Sequence, residues 1–460
     1  MGSIKQQIKG GKASVFRRAY IKRRNAITGL FETDWQEITD DVITWSKISI
    51  AVDVVRQSKF KFKNTSLTVE NTEGKYNQED QSESFWSGYA SQQRTLVKIV
   101  AGYVDSTLGA DGIWQNVYYP GTNDALWDVG IWNQTRWSDE GTAANQFFGL
   151  LYGDVTTSDQ SRVTLPIKPL QEIFQDFPAQ KLNHFTSTGM TAENFIKGLR
   201  DQTNGSGVFL FRPFFGDTTT NWNIGSTTEI YTQLNTTTGE EIIDKTVWDI
   251  VETLAESENF IAYVDRFGKF NFINPSVETA TTYELFGMGQ IDTNFGVTIK
   301  SINKYGSSIS NFYNRVQVKF TDLDTETSYS VRETDFTITG TNLAWNLGYR
   351  TFDLTNFWIP NATVADNLAL TIFNNVSGFK KEIQFNATFL PQMDVLNRVK
   401  LTYDTTPFDV ESLWDLNNWD EMVWDLKAGS AIKLDAKEFK LLELTHDIER
   451  FETIIKAREV

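Results

Sequence analysis

The sequence contains no cysteine and only two histidines, His184 and His446, among its 460 residues. The absence of thiols excludes disulfide bonds, zinc fingers and thiolate nucleophiles, and two isolated histidines exclude most histidine-based catalysis. Phosphate-binding P-loops, the G-x-S-x-G elbow of serine hydrolases and the H-E-x-x-H motif of zinc proteases are also missing. We therefore name no catalytic residue and predict no enzymatic activity, no cofactor and no metal site.

Two further absences narrow the class of protein. No run approaches ~18 apolar residues, so no membrane insertion is predicted. Asp322, Asp324 and Glu326 alternate as in a fragment of a calcium loop, but no glycine or downstream glutamate completes an EF-hand. We interpret this fragment as a solvated turn.

Charge is unevenly distributed along the chain. The 59 acidic and 43 basic residues give a net charge of −16, which disfavours sequence-specific binding to nucleic acid. Residues 1–31 nevertheless contain no acid and eight cations, namely Lys5, Lys9, Lys12, Arg17, Arg18, Lys22, Arg23 and Arg24. Two interpretations stay open: a solvated, partly disordered tail, or an arm whose Arg17, Arg18, Lys22, Arg23 and Arg24 contact phosphate or an acidic partner. We expect the arm to become ordered only within an assembly, because few apolar groups offset its ordering cost.

The apolar pattern divides the chain into a β region, a mixed region and a second β region. A chain of this length is expected to form several domains. We predict a basic N-terminal arm at 1–31, a first β-barrel domain at 32–182, an α+β middle domain at 183–295 and a second β-barrel domain at 296–460. The predicted fold class is mainly β with an α+β insert, in which two tandem tube-like barrels flank the smaller middle domain.

Local signals are clearest in the middle domain. Thr191 is a good N-cap for a helix with Ala192, Phe195, Ile196 and Leu199 on one face. Thr246 to Asp249 has the form of a capping box, which predicts a second helix. The run from Ile261 to Phe272 then predicts a β-hairpin whose turn uses Gly268 at positive φ.

A tryptophan pattern occurs twice. Residues 126–137 and 413–424 both spell L-W-D-x3-W-x4-W, and we name them the first and second Trp segments. Each follows a similar strand, at 97–99 and 399–401, and each precedes an F-x-L-L run, at 148–151 and 439–442. An internal duplication explains this shared order, and it predicts that the two pairs of flanking strands superpose residue by residue.

The two Trp segments allow two interpretations. Tryptophans five residues apart share no face of a helix or a strand, so each segment is predicted to be a loop or an irregular hairpin. The aromatics could form the loop's own small core. Alternatively they form a partner interface, and the candidate residues are Trp127, Trp132, Trp137, Trp414, Trp419 and Trp424.

Residues 246–275, with the run Y-V-D-R-F-G-K-F-N-F, resemble the tail hub, or baseplate hub, proteins of long-tailed bacteriophages. The order of barrel, insert and barrel is similar too, whereas residues 107–145 and the basic arm are departures. The resemblance implies a non-enzymatic homotrimer that forms a pseudo-six-fold ring around a DNA ejection channel. Implied partners are the tail tube or distal tail protein and a tip, spike or fibre protein, with the tape measure protein as a further candidate. DNA would be transit cargo, and the location would be the virion tail, assembled in the host cytoplasm.

Two other functions stay open. A distal tail protein would form a hexameric ring, although a hexamer needs only one barrel per chain. A carbohydrate-binding protein or glycosidase would use the tryptophans as platforms for sugar rings.

Overall fold

The architecture is that of a computed structural model. It describes residues 13–460 apart from longer gaps at 77–83, 106–142, 235–241, 276–281, 288–298, 334–347 and 405–431, and shorter ones at 54, 56–58, 73, 90–92, 153–155, 160, 187, 205, 217–219, 243, 308–311, 323–324, 379, 392 and 396. The predicted mainly β class is confirmed.

The first sheet is built from strands near the N-terminus. Ten strands and one short helix precede the middle domain: β1 (Ala13–Lys22), β2 (Gln36–Glu37), β3 (Val42–Trp45), β4 (Ile48–Val52), β5 (Phe60–Phe62), β6 (Thr65–Glu70), β7 (Gln93–Asp105), β8 (Ala143–Tyr152), β9 (Thr156–Asp159), β10 (Arg162–Pro169) and α1 (Glu172–Gln175). Eight of the strands form one sheet in the order β2, β1, β7, β8, β10, β6 and β3, with β9 also paired to β10. In β6 and β10 every second residue is buried, as expected for strands that face a core on one side.

The two ends of this sheet are neighbours in the chain. A 3-10 turn at Thr39–Asp41 joins β2 to β3. The N–H of Ile38 donates a hydrogen bond to the carbonyl of Ala19 on β1 at 2.9 Å, and the N–H of Ala19 donates to Thr39 Oγ1 at 3.1 Å. Tyr76 and Trp86 fill the interior together with residues from both ends of the sheet. The sheet thus curls back on itself, and the short turn joins its two ends.

The N-terminal segment corrects one expectation. β1 pairs with β7 over its whole length, from Ala13 opposite Asp105 to Lys22 opposite Leu96. Ala19 is fully buried in the first-sheet core. The prediction that residues 1–31 become ordered only in an assembly is therefore wrong for residues 13–31, because a long ladder and core contacts offset the ordering cost. Residues 1–12 lie outside the described part of the chain.

The next elements lie between the first sheet and the second barrel, and we use the name middle domain for this part of the chain. Its elements are a 3-10 turn (Ala179–Lys181), β11 (Met190–Thr191), α2 (Ala192–Asp201), α3 (Arg212–Phe215), β12 (Trp222–Ile224), β13 (Ile230–Tyr231), α4 (Val247–Glu258), β14 (Ile261–Val264) and β15 (Phe270–Ile273). The N-cap of α2 at Thr191 and the complete capping box of Thr246 and Asp249 are confirmed. The hairpin of β14 and β15 is confirmed as well, with Gly268 at φ 83°.

The second barrel is a closed ring of six strands: β16 (Thr282–Gly287), β17 (Ile299–Ser307), β21 (Lys381–Thr388), β22 (Arg398–Asp404), β23 (Lys433–Asp447) and β24 (Glu452–Glu459). The ladders run β22, β16, β17, β21, β24 and β23, and β23 pairs back to β22. Closure removes exposed strand edges from this part of the sheet.

An insertion separates β17 from β21, which are paired neighbours in the barrel. It contains β18 (Arg315–Asp322), β19 (Thr325–Glu333), β20 (Thr351–Thr355) and α5 (Ala362–Val376). Its three strands form a separate sheet, which packs against α5 around its own core. Strand β18 belongs to this insertion, although the sequence places all of residues 296–460 in the second barrel domain. Asp322 pairs with Thr325 at the end of β18, and Asp324 lies outside the described residues.

Strands β4 and β5, which we call the bridging hairpin, leave the first sheet and extend the second barrel. β4 pairs with β23, with Ile50 opposite Leu444, and a further bridge joins Lys59 to Ala262 on β14. Connections of two residues, 46–47 and 63–64, tie the hairpin to β3 and β6. The sequence places this segment in the first barrel, but its almost continuous apolar pattern suits a strand covered on both faces.

Candidate assembly site

The Trp segments are the candidate interface, and all six of their tryptophans, from Trp127 to Trp424, lie outside the described residues. The flanking strands are described. The first segment connects β7 to β8, which are antiparallel neighbours with Gly102 opposite Ala143. The second connects β22 to β23 in the same way, with Asp404 opposite Lys433. Both segments thus join two antiparallel neighbouring strands.

We call each Trp segment together with its two flanking strands a Trp module. The residue-by-residue match that the sequence predicts between the two Trp modules needs correction. Lys98 lies opposite Phe148 in the first module, whereas Val399 lies opposite Phe439 in the second. Phe439 faces the barrel interior, but Phe148 points away from the first-sheet core and packs edge-on against Trp35 at 5.8 Å. A shift of one residue moves a side chain to the opposite face, so the predicted superposition of 148–151 on 439–442 is wrong.

Matching by face restores a correspondence between the two modules. Ile99 opposite Phe147 is a core-facing pair of two large side chains in the first module, and Val399 opposite Phe439 is such a pair in the second. The sequence pattern identifies the right pairs of strands, but it places their residues one or two positions apart from the structural match.

The five candidate cations of the N-terminal arm contact this chain itself. Arg17 donates to the carbonyl of Ile448 at 3.4 Å, which ties β1 to the end of the second barrel. Arg23 forms a 2.5 Å ion pair with Glu32. The remaining contacts are Arg18 with Glu37 at 3.7 Å, Lys22 over the Trp35 ring at 5.9 Å, and Arg24 with the carbonyl of Gly29 at 2.8 Å. These contacts stabilise the first sheet.

The first sheet, the middle domain and the second barrel meet at the buried backbone carbonyl of Pro391, and we call this contact the Pro391 junction. Pro391, which follows β21, accepts hydrogen bonds from Gln146 on β8 at 3.0 Å and from Arg266 in the turn between β14 and β15. Gln146 and Arg266 are buried. Because an unpaired buried guanidinium is costly, this polar contact favours one arrangement of the three units. No local sequence pattern indicates this contact, because its members are far apart in the chain.

Two neutral or apolar contacts complete the junction. His446 on β23 is buried against Phe389, and burial lowers its pKa to about 3, so the ring stays neutral near pH 7. Gly268 approaches Phe148 so closely that an added Cβ would lie 2.8 Å from the ring. Both the positive φ and this approach require glycine in the turn.

Asp265, in the same turn, gives a pH-dependent prediction. Burial raises its pKa to about 6, although the N–H groups of Phe267 and Lys269 donate to Oδ1 at 2.9 Å and oppose the rise. Because the folded pKa exceeds the unfolded value, the ionised carboxylate costs stability above pH 6, and the cost disappears as the pH falls toward 4. Asp265→Asn keeps the acceptor and should raise the free energy of unfolding at pH 7.5 by about 1–2 kcal/mol, a value reduced for partial exposure.

Chemical denaturation at pH 7.5 and 4.5 checks this prediction. The difference between Asp265→Asn and the parent chain should shrink at the lower pH. Asp201→Asn is the matched control, because Arg200 and Arg212 lower the pKa of Asp201, so this change should not stabilise the fold. A destabilised Asp265→Asn at pH 7.5 would contradict the prediction.

The described residues contain no group of three or more carboxylates or histidines placed to hold a metal ion. None of the described helices is long and apolar enough to cross a membrane.

No known protein family matches the sequence, and no curated protein matches it. Three solved structures that are similar over nearly the whole chain are tail proteins. A tail protein from Neisseria meningitidis MC58 has a TM-score of 0.47 at 11% identity, covering 97% of this chain and 96% of that chain. A 43 kDa tail protein of prophage MuSo2 from Shewanella oneidensis has a TM-score of 0.44 at 10% identity, covering 96% and 98%. Prophage tail protein gp18 from Listeria monocytogenes EGD-e has a TM-score of 0.45 at 8% identity, covering 96% and 94%.

Proposed function

We propose that this chain is a non-enzymatic component of a phage tail tip. It would act as a hub whose homotrimer forms a pseudo-six-fold ring around the DNA channel. The ring would join the tail tube or distal tail ring to a tip, spike or fibre protein, and would lie next to the tape measure protein. The ranges 32–182 and 296–460 would each supply one barrel.

One observation carries this proposal. A single chain contains two sheets, each with an antiparallel strand pair joined by the pattern L-W-D-x3-W-x4-W. A trimer that presents six similar faces must take two from each chain. The two Trp segments would supply such a repeated face, and the helix and hairpin at 246–275 agree with the hub resemblance.

The described contacts also favour a fixed angle between the two barrel units, which a closed ring requires. Phe389 and Ile448 of the second barrel lie in the core of the first sheet. The bridging hairpin and the Pro391 junction add two further connections. Flexible barrels would not close into a defined ring.

Native mass spectrometry of the purified chain tests the proposal. We expect a species of three times the 52.5 kDa of one chain, alone or on addition of its tail tube or distal tail protein. A hexamer would favour the distal tail alternative. A chain that stays monomeric with both partners would contradict a ring.

A further inference from the structure

The most exposed apolar side chain of the described residues lies on a loop that follows β1. Ile27 is 94% exposed and Leu30, on the same loop, is 67% exposed. We call residues 25–30 the apolar tip. Two large aliphatic side chains exposed on one tight loop are the kind of feature that enters a pocket on a partner.

The apolar tip is held rigidly by its own hydrogen bonds. Asn25 Oδ1 accepts hydrogen bonds from the N–H groups of Ile27 and Thr28 at 3.0 and 2.8 Å. The backbone N–H of Asn25 donates to the carbonyl of Leu30 at 2.8 Å. Gly29 takes φ 68°, and its carbonyl accepts from Arg24 at 2.8 Å. A preorganised loop loses little entropy on binding, so the tip is suited to an interface.

A cavity of about 430 Å³ lies elsewhere on the chain, between the middle domain and the insertion. Its walls include Lys245, Thr253, Glu256, Thr355, Phe357 and Trp358. Phe357 is 49% exposed at the rim, whereas Trp358 is buried. The volume falls within the range of pockets that hold small ligands.

The cavity is built between two units that are bonded to each other. Asn356, which follows β20, donates to Ser257 Oγ at 3.1 Å and to Glu256 Oε2 at 3.3 Å on α4. Lys245 lies over the Trp358 ring at 4.6 Å. These contacts fix the walls and leave the cavity open to the exterior.

Charge is complementary between the two surfaces. The segment 22–32 that contains the tip has three cations and one acid, Glu32. Helix α4 beside the cavity has four acids and no base: Asp249, Glu252, Glu256 and Glu258. Lys245 in the cavity wall carries the opposite charge and reduces the negative charge there. Glu252 already forms an ion pair with Lys59 at 3.9 Å. The net signs nevertheless favour association of the tip with the cavity.

We propose that Ile27 and Leu30 of one copy dock into the Phe357 and Trp358 cavity of a second copy. Because tip and cavity are different surfaces of one chain, the contact is heterologous and leads head-to-tail from copy to copy. Such a contact builds a ring when its rotation closes. The inference rests on the proposed ring and names the surfaces that would form it.

Disulfide trapping tests the contact directly, since the natural chain has no cysteine. Two differently tagged copies, Ile27→Cys and Phe357→Cys, are mixed and oxidised, and the tagged heterodimer is measured. Val208→Cys replaces Ile27→Cys in the control, because Val208 is a 57% exposed aliphatic residue on another asparagine-stabilised turn. We expect at least ten times more heterodimer from the Ile27 pair. Equal yields from both pairs would overturn the docking.

A second measurement separates this inference from the proposed ring. In sedimentation velocity, Ile27→Asp with Leu30→Asp should weaken self-association at least tenfold, whereas Val208→Asp should not. Circular dichroism checks that each variant is folded. A double variant that forms the parent's trimer overturns the docking and leaves the ring intact. A parent chain that stays monomeric even with its tail tube and distal tail proteins present, and that gives no excess heterodimer, contradicts both.

Discussion

Replacing Phe60 with alanine should lower the free energy of unfolding by about 3–5 kcal/mol. Phe60 is 2% exposed on the bridging hairpin and stacks on Tyr263 of β14 at 4.5 Å. It also touches Phe62, which packs edge-on against Phe147 of the first sheet at 6.4 Å. Because these rings connect three units, the truncation removes packing that no single unit can restore.

Guanidinium denaturation measures this effect. Phe267→Ala is the matched control, since Phe267 is 41% exposed at the tip of a turn, and its loss should stay below about 1 kcal/mol. A loss for Phe60→Ala as small as that of the control would show that the bridging hairpin does not hold the three units together.

Replacing the three tryptophans of one Trp segment with alanine should weaken binding to the six-fold tail neighbour by at least about 30-fold, as expected for one interface hot spot of about 2 kcal/mol. We expect similar losses for Trp127, Trp132 and Trp137 as for Trp414, Trp419 and Trp424, because the proposed ring uses both segments in equivalent positions. Combining the two sets should abolish binding.

The quantity to measure is the affinity of the chain for the tail tube or distal tail protein that the proposed function gives it, together with the stability of each variant. Unchanged affinity with reduced stability would show that the tryptophans pack onto their own barrel. Loss of binding to a glycan, with tail binding unchanged, would favour the carbohydrate alternative.

Local chemistry made two helices and one hairpin of the middle domain predictable from sequence. A capping box needs only Thr246 and Asp249, and a hairpin turn needs only Gly268, so each signal lies within a few residues of the element that it specifies. The buried face of α2 follows from its spacing in the same way. Such elements are specified before any long-range contact forms.

Long-range pairing was not predictable in the same way. The cations of β1 suggested a solvated arm. In the structure, successive side chains of β1 point to opposite faces, so Ala19 and Ile21 face the core while the strand pairs with β7. The register of the two Trp modules differs although their sequences match. The partner of a strand and the register of the pair depend on strands far away in the chain, and no local sequence pattern specifies them.

Electron cryomicroscopy of the isolated oligomer, viewed along its axis, would distinguish a ring of tandem barrels from the alternatives. The proposed function predicts a ring of three chains with six similar barrel densities around an open channel, alternating between first-sheet and second-barrel units. A ring of six chains, or three chains that place only one barrel each around the channel, would contradict it.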